Sequence, residues 1–136
     1  MSLLKLTTVA HGESVQKLAQ FQWKNRLIVG KTEDARFVQH LQERASRLTE
    51  EITDRDLLIL IHYRDRWLIL GTEHPPQLHD QLMAEIQTKT RKHDLALIGL
   101  DGGVKNRYSI ATFSLMNVFQ QIDRMPMRMR ELAEQE

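Results

Sequence analysis

Four segments of the chain have the hydrophobic pattern of β-strands. Two of them are almost continuously apolar, as expected for central strands that are covered on both faces of a sheet. The last one mixes polar with apolar residues, so it should lie nearer an edge. In chain order the predicted strands are Arg26–Gly30, Asp56–His62, Leu95–Leu100 and Val104–Tyr108, with Trp67–Leu70 as a short additional hairpin strand.

Apolar residues at helical spacing predict two helices in the first two thirds of the chain. Thr32 and Asp34 are good N-cap residues, and the helix that follows them should run to about Glu51. Pro75-Pro76 should open the second helix, because proline is tolerated in a first turn.

The end of the chain predicts two further helices. Thr112 should cap the first, which should end near Met125 because Pro126 disfavours helical geometry at the residue before it. Pro126 then suits the first position of a terminal helix. Met125, Met129 and Leu132 lie along one side of that helix and should pack on the domain.

The order of these elements predicts an α/β domain with the thioredoxin-like layout. A helix between the first two long strands implies a parallel pair with a right-handed crossover. Asp101-Gly102 is a hairpin signal, so the last two strands should be antiparallel. We therefore expect a mixed sheet of four to five strands with helices on both faces. Residues 1–20 form an N-terminal lead-in, and residues 21–136 form a single domain.

Composition narrows the chemistry available to this domain. The chain contains no cysteine, which excludes disulfides, thiolate catalysis and zinc–thiolate or iron–sulfur sites. Its net charge of +1 does not indicate a nucleic-acid partner. No apolar run is long enough for membrane insertion, and Met1–Ala10 does not form an intact signal peptide.

Four short motifs in order resemble those of one family. They are Trp23–Leu27, Arg55–Leu57, Leu97–Lys105 and Met125–Glu131, the last beginning Met-Pro-Met-Arg. Together they resemble the P-DUDES family, a domain of unknown function that is regarded as thioredoxin-like. The resemblance covers roughly residues 20–132. It implies a periplasmic or secreted location, since many bacterial relatives carry export signals and the animal relatives are secreted matrix proteins. It implies no reaction.

The loop after the first strand lacks the chemistry of thioredoxin-like redox enzymes. That loop reads Lys31-Thr32-Glu33-Asp34, whereas thiol exchange needs a thiolate. His93-Asp94 occupies the place where such domains usually carry a proline. Thiol-dependent disulfide reduction and peroxidase activity are therefore not expected. The start of the helix could instead bind an anion with its free backbone donors, but simple capping by Thr32 and Asp34 is favoured.

Other polar residues are candidates for a ligand surface or for acid–base chemistry. His62 ends an apolar strand near Asp65 and is either a proton-transfer residue or, as we favour, a hydrogen-bonded structural histidine. Asp101 occupies a glycine-rich turn that is too short for a phosphate loop, and Lys105 follows on the returning strand. The six histidines show no spacing typical of a metal site, so neither a metal nor a cofactor is expected.

Arg128 is the most distinctive candidate in the terminal segment. In the structural interpretation, which we favour, the terminal helix docks on the sheet and Arg128 pairs with Asp123 or Asp101. In the functional interpretation, the methionines and Arg128 form a groove for a partner peptide.

Two functional hypotheses follow. The first is a non-catalytic interaction or ligand-binding module with an unknown protein or small-molecule partner; a homo-oligomer is compatible with it. The alternative is an enzyme that uses acid–base chemistry of His62, Asp65 or Asp101 without metal or thiol. A pocket in which a histidine and a carboxylate converge at hydrogen-bond distance would favour the enzyme.

Overall fold

The computed structural model describes residues 14–135, and every structural statement below refers to this part of the chain. Seven strands are present: β1 (Ser14–Val15), β2 (Arg26–Lys31), β3 (Leu57–Tyr63), β4 (Arg66–Leu70), β5 (Gln77–Leu78), β6 (Leu95–Ile98) and β7 (Val104–Tyr108). The α-helices are α1 (Ala35–Arg47), α2 (Thr49–Asp54), α3 (Leu82–Thr90), α4 (Leu115–Asp123) and α5 (Pro126–Glu134). A short 3-10 helix spans Leu18–Phe21.

Five strands form the main sheet in the order β4-β3-β2-β6-β7. Strands β2 and β3 are parallel and are connected through α1 and α2, while the other neighbours are antiparallel. The two most apolar predicted strands are central or next to the centre, and β7 lies at an edge, as predicted. This mixed α/β sheet confirms the predicted thioredoxin-like fold class.

Helices cover both faces of the sheet and close two hydrophobic clusters. Helices α1, α2 and α4 pack on one face, where Leu41, Ile52 and Phe119 contribute to the larger cluster. Helix α3 and the 3-10 helix cover the other face through Ile86 and Phe21. No helix of the described residues is both long enough and apolar enough to cross a membrane.

The predicted first helix is divided in two at Leu48. Asp34 caps α1 as predicted, because its Oδ1 accepts a hydrogen bond from the Phe37 N–H at 2.9 Å. Leu48 leaves helical geometry (φ −114°, ψ 27°), and α2 starts at Thr49. The Thr49 hydroxyl donates to the Ser46 carbonyl at 3.1 Å. Side-chain hydrogen bonds of this kind compete with the helical backbone pattern.

Two predicted helix starts are wrong for tertiary and capping reasons. Pro75-Pro76 does not open a helix, because the next residues form β5 and pair in parallel with β1; α3 begins only at Leu82. Thr112 lies in a turn, and Ser114 caps α4 by accepting a hydrogen bond from the Asn117 N–H at 3.4 Å.

The terminal helix begins at Pro126 as predicted but turns a different face to the core. Met125 packs against the larger hydrophobic cluster and Leu132 is half-buried, whereas Met129 is 57% exposed. The expectation that Met129 lies on the domain is therefore wrong. Arg128 takes the buried position, and the next residue of a helix points about 100° away from it.

The turn between β6 and β7 confirms the antiparallel pair but is longer than a two-residue hairpin. Strand β6 ends at Ile98, and the connection runs through Gly99–Gly103. Gly102 has a φ of +85°, which glycine adopts without steric cost. The Asp101 carboxylate accepts a hydrogen bond from the Gly103 N–H at 2.9 Å and so closes the turn.

Gly30 provides a test of how tightly the sheet is packed. It pairs with Ile61 and Leu95 in the centre of the sheet, and a Cβ placed on it would overlap the Asp94 carbonyl and the Leu95 side chain. We expect Gly30→Ala to lower the free energy of unfolding by about 1–3 kcal/mol, because the backbone must move. Urea unfolding measures this quantity.

Gly103→Ala is the matched control for Gly30→Ala. Its Cβ would meet only the ends of the flexible Asp101 and Lys105 side chains, at 3.3 and 3.5 Å. We expect a change within about 0.5 kcal/mol. Equal effects of the two substitutions would contradict the tight packing at Gly30.

Candidate functional site

A buried ionic network lies at the amino ends of the parallel strands β2 and β3. Arg26 is the first residue of β2, and its side chain is only 1% exposed. Its two terminal nitrogens donate to the Glu131 carboxylate of α5 at 2.9 and 3.4 Å. Nη1 also donates to the Arg55 carbonyl at 2.9 Å. Arg26 thus joins the start of the sheet to the terminal helix.

Arg128 of α5 is the second buried arginine and is also 1% exposed. It forms an ion pair with Asp54 and donates to the carbonyl oxygen of the same residue at 3.0 Å. Its Nε donates to Asp123 Oδ1 at 3.2 Å, and its Nη1 reaches Glu131 Oε1 at 3.4 Å. One guanidinium therefore holds together the carboxyl ends of α2 and α4.

Arg55 is the third arginine of the network and connects α4 to the segment before β3. Its Nε and Nη2 donate to the two oxygens of Asp123 at 3.0 and 2.8 Å, the bidentate geometry that suits a guanidinium. Nη1 donates to the Glu51 carbonyl at 2.9 Å. The guanidinium carbon also lies 4.5 Å from the centre of the Phe119 ring, within cation–π distance.

The network shifts the pKa values of Asp123 and Arg128 towards their charged forms. Burial raises the pKa of Asp123, but hydrogen bonds from Arg55 and Arg128 outweigh burial and hold that pKa below its ordinary value. Burial lowers the pKa of Arg128, but hydrogen bonds to Asp54 and Asp123 outweigh it, and the pKa lies above its ordinary value. Both groups therefore stay ionised around neutral pH.

The prediction that Arg128 pairs with Asp123 or Asp101 is confirmed through Asp123. Asp123 is a partner, and Asp54, which was not anticipated, is another. Asp101 is not, because it pairs with Lys105 at 2.9 Å across its own turn. The Gly103 N–H and the Lys105 ammonium hold the pKa of Asp101 below its ordinary value.

All four motifs of the family resemblance reach this end of the sheet. Arg26, Arg55 and Arg128 come from three of them and meet in the network. The remaining motif contributes Leu100, whose carbonyl accepts a hydrogen bond from the Trp23 N–H at 2.7 Å. Segments that are distant in sequence therefore form one structural unit.

A cleft of about 1070 Å³ opens beside the network. Its walls are α2, the segment that leads into β3, and the carboxyl end of α5. Six carboxylates and a single arginine line it. Asp54 and Glu131 are paired with the buried Arg128 and Arg26, so the exposed Glu50, Glu51 and Glu134 give the surface most of its acidic character. The acidic residues are Glu50, Glu51, Asp54, Asp56, Glu131 and Glu134, and the arginine is Arg55.

Trp23 forms the aromatic part of the cleft lining and is 61% exposed. Its φ of +66° is unusual for a residue with a bulky side chain. Hydrogen bonds hold this backbone in place, from the Trp23 N–H to Leu100 and from the Lys24 and Asn25 N–H groups to the Phe21 carbonyl. A large indole is therefore kept at the surface by the fold.

Two buried polar atoms next to the cleft have no hydrogen-bond partner within residues 14–135. They are Asn25 Oδ1 and Arg26 Nε, and both side chains are at least 98% buried. The Asn25 side chain donates a hydrogen bond to the Asp56 carbonyl, and the Arg26 side chain donates one to the Arg55 carbonyl. Arg55 and Asp56 both line the cleft. A buried donor and a buried acceptor thus remain unused directly behind the lining.

Three predicted site residues lie at the opposite end of the sheet, where β2 ends. Thr32 is buried, and its hydroxyl accepts a hydrogen bond from the Asp34 N–H at 3.0 Å, while Asp34 caps α1. The capping interpretation is therefore confirmed. Lys31 is exposed beside them. A role of these residues in ligand binding stays a prediction.

His62 does not converge with a carboxylate within the described residues. It packs edge-on against Trp67, with ring centres 5.0 Å apart, and its Nδ1 is buried without a hydrogen-bond partner. Asp65 lies in the exposed turn after β3. Asp101 lies in the turn that follows the carboxyl end of β6. No group of three or more histidine, aspartate or glutamate side chains in residues 14–135 is arranged to hold a metal ion.

Sequence reasoning missed several residues of this site. A charged residue that begins a buried strand, as Arg26 does, was an available signal, because such a charge needs a partner inside the fold. Arg55, directly before the next buried strand, carried the same signal. Asp54 carried no such signal, since it ends a polar helix. Trp23 carried none either, since its sequence context is that of an ordinary core aromatic.

The network predicts a large effect of removing one arginine. We expect Arg128→Ala to lower the free energy of unfolding by about 3 kcal/mol, because it breaks a buried ionic network and leaves a cavity. Arg130→Ala on the same helix is the control; Arg130 is exposed and should matter by less than about 0.5 kcal/mol. Chemical denaturation measures both, and equal values would refute the structural role of Arg128.

The lowered pKa of Asp123 predicts a dependence of stability on pH. A carboxyl group whose pKa is lower in the folded chain stabilises above its unfolded pKa of about 3.9, and this contribution disappears as the pH falls through the folded pKa. We expect Asp123→Asn to destabilise at neutral pH and the difference from the parent to shrink in acid below about pH 4. Urea titrations across this range measure it. Asp65→Asn, in the exposed turn after β3, is the control and should change the free energy of unfolding at neutral pH by less than about 0.5 kcal/mol. A deficit of Asp123→Asn that stays the same at every pH would contradict the assignment.

Comparison with known proteins identifies a family but no function. A family model, a domain of unknown function (DUF4174), matches residues 17–131. No curated protein and no solved structure matches the chain. The matched region contains the whole five-stranded sheet and every charged side chain of the buried network. The chain therefore belongs to the DUF4174 family.

Proposed function

We propose that this domain is a non-catalytic binding module whose acidic cleft holds a lysine- or arginine-rich segment of a partner protein. One observation carries the proposal: the cleft combines the exposed Trp23, on a hydrogen-bonded backbone, with the three exposed carboxylates Glu50, Glu51 and Glu134. An indole face and a set of carboxylates are the two groups that bind ammonium and guanidinium ions in proteins.

Charge is distributed unevenly over the molecule, and this supports a cationic partner. The whole chain carries a net charge of +1, yet the cleft contains six of its eighteen acidic residues. The exposed Glu50, Glu51 and Glu134 lie outside the arginine network, so their charges act on the solvent side of the cleft. A cleft lined by one sign of charge concentrates and steers ligands of the other sign.

The size and rigidity of the cleft suit a peptide segment. Its volume of about 1070 Å³ exceeds that of one side chain and is sufficient for several residues. Arg26 and Arg128 fix α2 and α5 against the sheet, so the walls are formed before a ligand arrives. A preformed site binds at lower entropic cost.

The acid–base enzyme has weaker support. No histidine lines the cleft, and His62 packs against Trp67 on another part of the sheet.

We also propose that the DUF4174 domain here is of the P-DUDES type, because all four motifs of that resemblance lie in the matched region. Export from the cytoplasm is a proposal that depends on this relation alone.

Binding of a labelled octalysine peptide tests the proposed function. We expect fluorescence anisotropy to show binding that weakens with salt, and Trp23→Ala to weaken it at least about tenfold while the fold is unchanged. The triple variant Glu50→Gln, Glu51→Gln, Glu134→Gln should have a similar effect, because it removes the solvent-side charges of the cleft.

A second triple variant controls for net charge. Glu33→Gln, Glu43→Gln, Glu73→Gln changes three exposed carboxylates outside the cleft and should bind octalysine nearly as well as the parent. If the two triple variants lose affinity equally, or if Trp23→Ala binds like the parent, attraction is not localised to the cleft and the proposal fails.

A further inference from the structure

A second groove, of about 790 Å³, runs between α1 and the segment that connects β7 to α4. Its floor is apolar. Phe37 and Phe113 pack edge-to-face with ring centres 6.0 Å apart, and Tyr108 extends this aromatic group at 5.4 Å from Phe113. Phe37, Phe113 and Ile110 are only half-buried, so part of the apolar floor is open to solvent.

Three basic side chains form a stripe along one side of this groove. Arg36, His40 and Arg44 are spaced four residues apart on α1, so they lie on one helical face over about 12 Å. None of the three side chains forms a hydrogen bond or ion pair within residues 14–135. The three arginines of the buried network, by contrast, each form an ion pair with a carboxylate.

The groove contains one acidic residue, and that residue already has a structural role. Asp34 caps α1 through its hydrogen bond to the Phe37 N–H. Arg36, which is exposed, and Arg44, which is half-buried, are thus left without a carboxylate partner among the described residues, beside an apolar surface. The chemistry of this groove is opposite to that of the acidic cleft, and the two have no lining residue in common.

We infer that this groove binds an amphipathic acidic helix of a partner protein. Leucine-type side chains on one face of such a helix would cover the aromatic floor, and carboxylates flanking that face would pair with the basic stripe. A periodic stripe about two helical turns long matches carboxylates that repeat every three to four residues. A single small carboxylate would engage only part of it. This inference does not depend on the proposed function of the acidic cleft.

A labelled synthetic helix tests the inference on the full chain. The probe is a peptide of about 15 residues with leucines along one helical face and glutamates elsewhere, about the shortest length that forms an isolated helix. We expect saturable binding by fluorescence anisotropy. Arg36→Glu, Arg44→Glu should weaken it at least about tenfold, because both ends of the stripe then repel the probe.

Arg47→Glu, Arg91→Glu is the matched control with the same change in net charge. Both residues are exposed and lie outside the groove, so binding should fall by less than about threefold. A probe with glutamine in place of glutamate should bind weakly, and so should one with the leucines dispersed around the helix. Thermal melts of both double variants should match that of the parent.

Three outcomes would overturn the inference. The first is failure of the probe to bind. The second is an equal loss of affinity in both double variants, and the third is binding of the dispersed-leucine probe as tight as that of the amphipathic probe. If dodecanoate binds with a dependence on Arg36 and Arg44 while the peptide does not, the groove takes an anionic amphiphile and the assignment to a partner helix is wrong.

Discussion

The burial of two guanidinium groups is the constraint on which the rest of the structure depends. A buried arginine without carboxylate partners would cost several kcal/mol, so Arg26 and Arg128 can be accommodated only when their acids are in place. Those acids lie on three different helices. Satisfying the two charges therefore positions the ends of α2, α4 and α5 together against the start of β2. Apolar packing alone would leave the angle of the terminal helix less well determined.

This constraint explains why the candidate site is at the amino ends of the parallel strands. In thioredoxin-like enzymes the chemistry lies at the other end, after the first strand of the parallel pair. Here that position holds Thr32 and Asp34, whose hydrogen bonds to the backbone complete the start of α1. The Thr32 hydroxyl and the Asp34 carboxylate are therefore used structurally. At the amino ends, by contrast, an exposed indole and three exposed glutamates lie on a rigid wall.

Hydrophobic patterning was sufficient to predict the sheet but not the features that depend on distant partners. Strands β3 and β6 were recognisable because a covered strand must be apolar along its whole length. The helix expected at Pro75-Pro76 was wrong because β5 pairs with β1, about 60 residues away, which no local pattern records. For Arg128 the need for a carboxylate was predictable from its burial. The choice of Asp54 over Asp101 was not, since it depends on where α2 ends in space.

The same limit applies to the two surface sites, and it shows how they relate to the nearly neutral composition. A net charge of +1 suggests an electrostatically unremarkable surface, yet the fold sorts the charges into an acidic cleft and a basic groove. Helix α1 provides the basic stripe because Arg36, His40 and Arg44 repeat at helical spacing. The acidic cleft arises only when α2 and α5 are brought together by Arg128. The basic stripe is thus local to one helix, but the floor of its groove needs Ile110 and Phe113 from a distant segment, and the acidic cleft is a consequence of the buried network.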